Sequence, residues 1–466
     1  MFDKVLIINR GEIALRVIRA CAKLGIKSVA AYSEADARSP HLDEADERVC
    51  IGAGPSATSY LNQDSLLKAA EEYHCQAIHP GYGFLSENAL FATRCAQQKT
   101  TFIGPSPSSL RLMGDKASAR ATMAARGVHG VPGSEGLIRD LDEARETAMR
   151  VGYPILLKAT AGGGGKGMRI CRAEDQLGTA FEQASMEAMS AFGDAGLYME
   201  RFVEGGRHIE FQVLGDRYGH VIHLGERECS TQRNNQKVIE EAPSPGVSAS
   251  QRSELGELIC EILSKMKYVG AGTIELLRAP TGELFFMEMN TRLQVEHPVT
   301  EMVTGVDLVE WQIRLAAGER LTLRQEDIRM DGHAIECRIN AEDPALNFRP
   351  APGELTRFEA PEEWRYRLEG PIRLDTHVRS GYRIPPLYDS MIGKLIVRGD
   401  TREEAISCMQ KALSELHIEG VPTTADLHRF LLQSRPFQSG NYSTPEMSAV
   451  MTLFMERLNT DVVGGD

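Results

Sequence analysis

A mixed α/β and α+β fold of more than one domain is predicted by three features of the sequence. These are a β-α-β alternation over residues 1–115, a glycine run set between two strands, and a hairpin that opposes two glutamates about residue 281. At 466 residues the chain exceeds what one core accommodates, so two or three domains follow. Its 42% hydrophobic and 25% charged residues are globular averages, and no window nears the roughly 20 apolar residues that cross a bilayer.

The N-terminal apolar run covers only residues 5–8, too short for a secretory segment, so a soluble, cytoplasmic protein with no membrane partner is expected. Nine cysteines stand singly without a C-x-x-C pair, which argues against a disulfide framework or a zinc site. A net charge of −13 opposes nucleic-acid binding, so any anionic substrate needs locally concentrated cations.

In order, a strand at 5–8 leads through Asn9-Arg10-Gly11 into a helix. Its apolar residues Ile13, Leu15, Val17, Ile18, Cys21 and Leu24 recur at helical spacing until Gly25. Strands at 28–32, 77–79 and 101–103, with a helix at 64–73, complete a doubly wound open sheet over residues 1–115. A helix at 116–126 and a breaker cluster at 127–133 open a second unit, 116–330. It holds a helix at 141–151, strands at 155–159 and 168–171 around the glycine run, a segment closing at 198–203, a helix at 251–266 and the hairpin at 273–290. A third block, 331–445, holds a strand at 333–339, a Pro350-Ala351-Pro352-Gly353 turn and a helix opened by the capping box Thr401-x-x-Glu404. Residues 446–466 read as a tail.

Ala161-Gly162-Gly163-Gly164-Gly165-Lys166-Gly167 can turn backbone N–H groups toward a polyphosphate. It is no Walker A loop, because Gly167 rather than Ser or Thr follows Lys166 and a strand comes next. A plain linker would not require Lys158, a charge inside an apolar strand that needs an anionic partner. In the hairpin, pairing about residue 281 sets Glu275 opposite Glu288, with Asn290 on the same face. Facing carboxylates repel unless a cation lies between them, and two carboxylates plus an amide oxygen are hard ligands that suit magnesium. Arg292, Gln294 and Glu296, if extended, share one face as a guanidinium fork, an amide and a base, a pocket for a small planar oxyanion. Arg338, alternating with apolar neighbours, either pairs with an acid or points at a substrate, and its strand alone leaves both open.

Six motifs together resemble biotin carboxylase, a member of the ATP-grasp superfamily. They are Asn9-Arg10-Gly11-Glu12-Ile13-Ala14, the stretch from His79-Pro80-Gly81-Tyr82 to Asn88, the glycine run, Glu240-Glu241-Ala242-Pro243, residues 289–301 and Pro385-Pro386-Leu387-Tyr388-Asp389-Ser390-Met391. The resemblance spans residues 1–445 in the family's order. It implies an ATP-grasp fold with a Rossmann-like N-terminal domain, a glycine-flap lid at about 133–202 and a C-terminal biotin carboxylase domain.

By position, Lys116, Lys158, Gly164 and Gly165 would hold the ATP phosphates, with Glu200, Arg201, Phe202, Val203, His208, Gln232, Asn235 and Leu277 around the nucleoside. Glu275, Glu288 and Asn290 would ligate two Mg2+ or Mn2+ ions, and Glu275 and Glu288 would also border the ATP. Lys237, Arg292, Gln294 and Val295 would bind bicarbonate, Glu296 would be the base and Arg338 would face biotin. Bicarbonate would thereby be activated as carboxyphosphate and the carboxyl group passed to biotin.

Two departures stand out: Asn234 and Asn235 where many relatives carry arginine and histidine, and Lys23 where an acid is expected near Arg19, a region tied to subunit pairing. Lys265-Met266-Lys267-Tyr268 lacks the Ala-Met-Lys-Met turn of a biotin acceptor, so the expected partners are a separate biotin carboxyl carrier protein, carboxyltransferase subunits and a second copy in a homodimer. That pattern favours the subunit of an acetyl-CoA carboxylase serving fatty acid synthesis. A split pyruvate or propionyl-CoA carboxylase would present the same front end, and another carboxylate–amine ligase of the superfamily is the remaining alternative.

Overall fold

Five parallel strands open the chain: β1 (Lys4–Ile7), β2 (Lys27–Ser33), β3 (Glu47–Gly52), β4 (Ala77–His79) and β5 (Thr101–Phe102), in the order β3-β2-β1-β4-β5. The computed structural model describes residues 1–159, 168–192 and 195–463, so the glycine run with Gly164 and Gly165 lies outside the described residues. Strand order reverses between β1 and β4, and a crevice opens beyond their carboxyl ends. The Asn9 side chain joins the two loops there, donating to the carbonyls of Pro80 (2.6 Å) and Tyr82 (2.7 Å). Gly81 permits this approach: its φ is +62°, and a Cβ would lie 2.9 Å from Asn9 Nδ2.

A small antiparallel sheet, β7-β6-β8, follows, from β6 (Ile155–Ala159), β7 (Met168–Cys171) and β8 (Leu197–Arg201). Helices Leu141–Val151 and Glu174–Phe192 pack on it through Ala144, Ala148, Leu177 and Ala184, leaving Lys158 on the other side.

The main sheet has eight antiparallel strands. Six are β9 (Arg207–Gly215), β10 (Val221–Arg233), β11 (Gln236–Ala242), β12 (Gly270–Arg278), β13 (Leu284–Asn290) and β14 (His333–Asn340), and strands Met391–Gly399 and Ile372–Asp375 extend the β14 edge. It therefore runs from the second unit into the third block, a continuity that breaker signals near 332 do not reveal. Asn234 and Asn235 turn β10 into β11 with φ of 49° and 64°, the left-handed conformation that a tight hairpin asks of both residues and that Asn tolerates.

Two local expectations change. The stretch from 446 is not a tail but most of the helix Thr444–Val463, whose Met447, Val450, Met451 and Phe454 enter the core around Leu374, Leu395 and Phe437. At Thr401 only half a capping box forms: its hydroxyl oxygen accepts from the Glu404 N–H (3.2 Å), while the Glu404 carboxylate reaches the Asp400 N–H (3.0 Å) instead of that of Thr401. Among the described residues no helix is long and apolar enough to cross a membrane.

Candidate active site

A cleft of about 1110 Å³ lies between the β1 and β4 loops, the small sheet and one face of the main sheet. Of the residues picked out from sequence, Lys116, Lys158, His208, Gln232, Asn235, Lys237, Glu275, Glu288, Asn290, Arg292, Gln294, Val295, Glu296 and Arg338 line it. Glu200, Arg201, Phe202, Val203 and Leu277 do not. Glu200 instead lies buried in β8, paired with Lys158 and with Arg120 (2.6 Å), so the charge inside β6 finds its anionic partner within the fold. Leu277 stands opposite His208 in the β12–β9 pairing.

The hairpin register is the expected one, with Glu275 opposite Glu288 and Thr273 opposite Asn290. A bulge then shifts the pairing so that Leu276 meets Phe286, and consecutive Phe285 and Phe286 are both buried. The opposed acids thus emerge from a fixed apolar base. Lys116 Nζ lies 3.2 Å from Glu288, and Asn290 turns its Oδ1 toward Arg292 (2.9 Å). Two carboxylates and an amide oxygen on one face are donors that fit a hard divalent cation.

The segment 291–296 departs from the extended ladder expected of it. It is irregular, because helix His297–Thr304, with Pro298 in its first turn, starts immediately and makes Glu296 its N-cap. Arg292, Gln294 and Glu296 still converge on the cleft, held by different partners. Arg292 Nε donates to Glu87 (2.9 Å), Gln294 Nε2 donates to Glu275 (2.8 Å), and Gln294 Oε1 accepts from the fully buried Arg227 (2.8 Å).

Lys237 is the hub. Its Nζ lies 2.6 Å from Glu210, 3.2 Å from Glu275 and 2.5 Å from Glu296, supplying the cation these crowded carboxylates need. Burial alone raises the Glu296 pKa, but Lys237, Arg338 and Arg227 outweigh it and hold the carboxyl well below the usual range. Burial likewise depresses Lys237, and Glu210 and Glu296 more than restore it, so the ammonium stays charged. Arg338 does both things its strand left open: it pairs with Glu240 (2.5 Å) and Glu296 (2.9 Å), and it faces the cleft.

Three family models cover this chain in order: the biotin carboxylase N-terminal domain over residues 1–110, the carbamoyl-phosphate synthase L chain ATP-binding domain over 115–324, and the biotin carboxylase C-terminal domain over 336–448. A biotin carboxylase of Nostoc sp. is 54% identical over 444 residues, 95% of this chain and 98% of that one. The chain belongs to the biotin carboxylase family. It is thus an ATP-dependent ligase with the ATP-grasp fold. The 2-oxoglutarate carboxylase small subunit of Hydrogenobacter thermophilus is 50% identical, with 95% and 93% of the two chains covered. The solved biotin carboxylase domain dimer of that carboxylase, in complex with MgADP, ADP and bicarbonate, superposes with a TM-score of 0.88 at 49% identity, covering 97% of this chain and 99% of that one.

Several groups that shape this biotin carboxylase's cleft carry no signal that sequence patterning detects. Glu210, Arg227, Glu87 and Lys394 are charges inside or beside apolar strands and loops, and only their meeting in space explains them. Glu210, set between Ile209 and Phe211, is the one with a visible anomaly, a charge within an apolar run. Lys23, the unexpected cation, pairs with Glu310 (2.7 Å) and Asp307 (3.6 Å), while Arg19 makes a two-pronged bond to Glu44 (2.7 Å each).

Proposed function

We propose that the chain carboxylates biotin borne on a separate carrier protein, using MgATP and bicarbonate, as the first half-reaction of an acetyl-CoA carboxylase in fatty acid synthesis. The observation that carries this reading is the Lys237–Glu296–Arg338 cluster beside the Glu275/Glu288 hairpin, a base and its cations next to a metal-ligand face.

Lys116 and Lys158, with Gly164 and Gly165, hold the triphosphate, and His208, Gln232, Asn235, Leu277 and residues 200–203 surround the nucleoside. Glu275, Glu288 and Asn290 hold two Mg2+ or Mn2+ ions, which when bound offset charge on the transferred phosphoryl group. Lys237, Arg292, Gln294 and Val295 bind bicarbonate. As the anion draws Lys237 and Arg338 toward itself, the pair that depresses Glu296 weakens and its basicity rises toward what a base needs. Glu296 takes the bicarbonate proton and the oxyanion attacks the γ-phosphorus, giving carboxyphosphate and ADP. Carboxyphosphate breaks down to carbon dioxide and phosphate, phosphate removes the N1′ proton of biotin, Arg338 stabilises the charge developing on the ureido oxygen, and N1′ attacks carbon dioxide. Water must be kept out meanwhile, because carboxyphosphate hydrolyses.

The protein works in the cytoplasm as a homodimer, with carboxyltransferase subunits downstream. An acceptor other than acetyl-CoA, as in a pyruvate, propionyl-CoA or 2-oxoglutarate carboxylase, is the second reading, favoured by the similarity to a 2-oxoglutarate carboxylase subunit. The test is bicarbonate-dependent ADP release with and without free biotin. Stimulation by biotin is expected; turnover that requires an amine instead would make the chain a carboxylate–amine ligase.

A further inference from the structure

Arg338 does not stand alone on its strand. Glu336 precedes it by two residues on the same face, and β11 sets Glu240 directly opposite Glu336. Glu240 Oε1 accepts from Arg338 Nε at 2.6 Å, while its Oε2 is buried without a hydrogen-bond partner among the described residues. Both oxygens of Glu336 are likewise buried and unpartnered. Three bare carboxylate oxygens on opposed, fully buried acids would be costly if both were ionised. One proton removes the conflict: a neutral carboxylic acid donates to its neighbour, as in other carboxyl pairs that share a proton.

We propose that Glu336 is held as a carboxylic acid that donates a hydrogen bond to Glu240, and that this acid–carboxylate pair is the positioning device for Arg338. The assignment follows from the contacts. Glu240 bonds the guanidinium and keeps its charge, whereas Glu336 touches no cation. Lys394, opposite Arg338 on the next strand, spends its ammonium on the Val295 carbonyl (2.9 Å) and Glu12 (3.2 Å). Besides Glu240 and Arg338, the groups that face Glu336 are Lys394, Glu296 and the Tyr82 hydroxyl. Burial pushes Glu336 well above the carboxylate range, with Lys394 opposing and Glu240 adding to the rise; burial also lifts Glu240 to about 7, against Arg338.

The consequence is a charge balance suited to the reaction. With Glu336 neutral, Glu240 and Arg338 cancel, and Glu296 is left to Lys237 as an ionised base. Loss of the Glu336 proton at high pH would add a second negative charge beside Glu240, pulling the guanidinium toward the sheet and away from the cleft.

This inference rests on Arg338 facing biotin, and its test separates the two ideas. Infrared spectroscopy of the whole protein in H2O and D2O reads the carbonyl band of a buried carboxylic acid without any turnover. Wild type is expected to show that band at pH 8, and Glu336→Gln, whose amide also donates to Glu240, to lack it. In the biotin-dependent reaction Glu336→Gln should keep kcat within about twofold at neutral pH and lose the alkaline fall that wild type shows. Glu240→Gln should lose about 10²-fold in biotin-dependent kcat with the KM for ATP unchanged. A band that survives Glu336→Gln, or an alkaline limb identical in wild type and Glu336→Gln, would overturn the shared-proton assignment. If the band behaves as expected but Glu240→Gln turns over biotin normally, the pair exists and does not position Arg338.

Discussion

Replacing Glu296 by Gln isolates the base from the scaffold that holds it. The carboxylate is 2% exposed, with Oε1 2.5 Å from Lys237 and Oε2 2.9 Å from Arg338. The amide keeps the shape and removes the proton acceptor, turning one oxygen into a donor that faces a cation. Neither cation is stranded, since Lys237 keeps Glu210 and Glu275 and Arg338 keeps Glu240, so the fold should survive. A positioned base contributes about 10²–10⁴ in rate, or about 3–5 kcal/mol at 1.36 kcal/mol per factor of ten. The expected outcome in a coupled ADP-release assay is a kcat lowered by about that factor, with the KM for ATP within about threefold of wild type. Lys116 and Lys158, which stand at the nucleotide end, do not touch Glu296. An equal loss of nucleotide affinity, or activity above about a tenth of wild type, would refute the assignment of Glu296 as base.

Glu288→Gln should raise the Mg2+ concentration for half-maximal activity by about tenfold or more, read from a metal titration at saturating ATP; an unchanged titration would remove Glu288 from the ligand set. Lys394→Met strips the partner from fully buried Glu12 and Asp375 and should cost about 3–5 kcal/mol, seen as a lower denaturation midpoint; a midpoint equal to wild type would contradict the ion-pair reading. Acid should destabilise the protein before carboxylates titrate, because burial lowers His41 and His428 to about 4 and His79 to about 3. The unfolded chain then binds more protons between pH 6.5 and about 4, so stability falls as pH falls through that window; a thermal midpoint flat from pH 7 to 5 would exclude it.

How far the sequence reaches depends on whether a feature is local. Strand and helix positions in residues 1–115 follow from apolar spacing and turn residues, and the Glu275–Glu288 opposition follows from where the Pro280-Thr281-Gly282 turn centres the hairpin. The bulge at Met287 does not, since it depends on how Phe286 finds the core. Arg292, Gln294 and Glu296 were placed on one face by assuming an extended chain, and they meet through an irregular segment and a helix cap. Lys237's three carboxylates come from β9, β12 and the helix at 297, separated by 27, 38 and 59 residues, beyond any local pattern. The helix at the C-terminus was missed because its apolar residues answer to the distant strands it covers.

Oxygen transfer tests the central chemistry most directly. With 18O-labelled bicarbonate, ATP and biotin, attack of a bicarbonate oxygen on the γ-phosphorus puts one labelled oxygen into the released phosphate, read by mass spectrometry alongside carboxybiotin. Phosphate that takes its new oxygen only from water would mean that bicarbonate is never the nucleophile, and that the Lys237–Glu296–Arg338 cluster serves some other reaction.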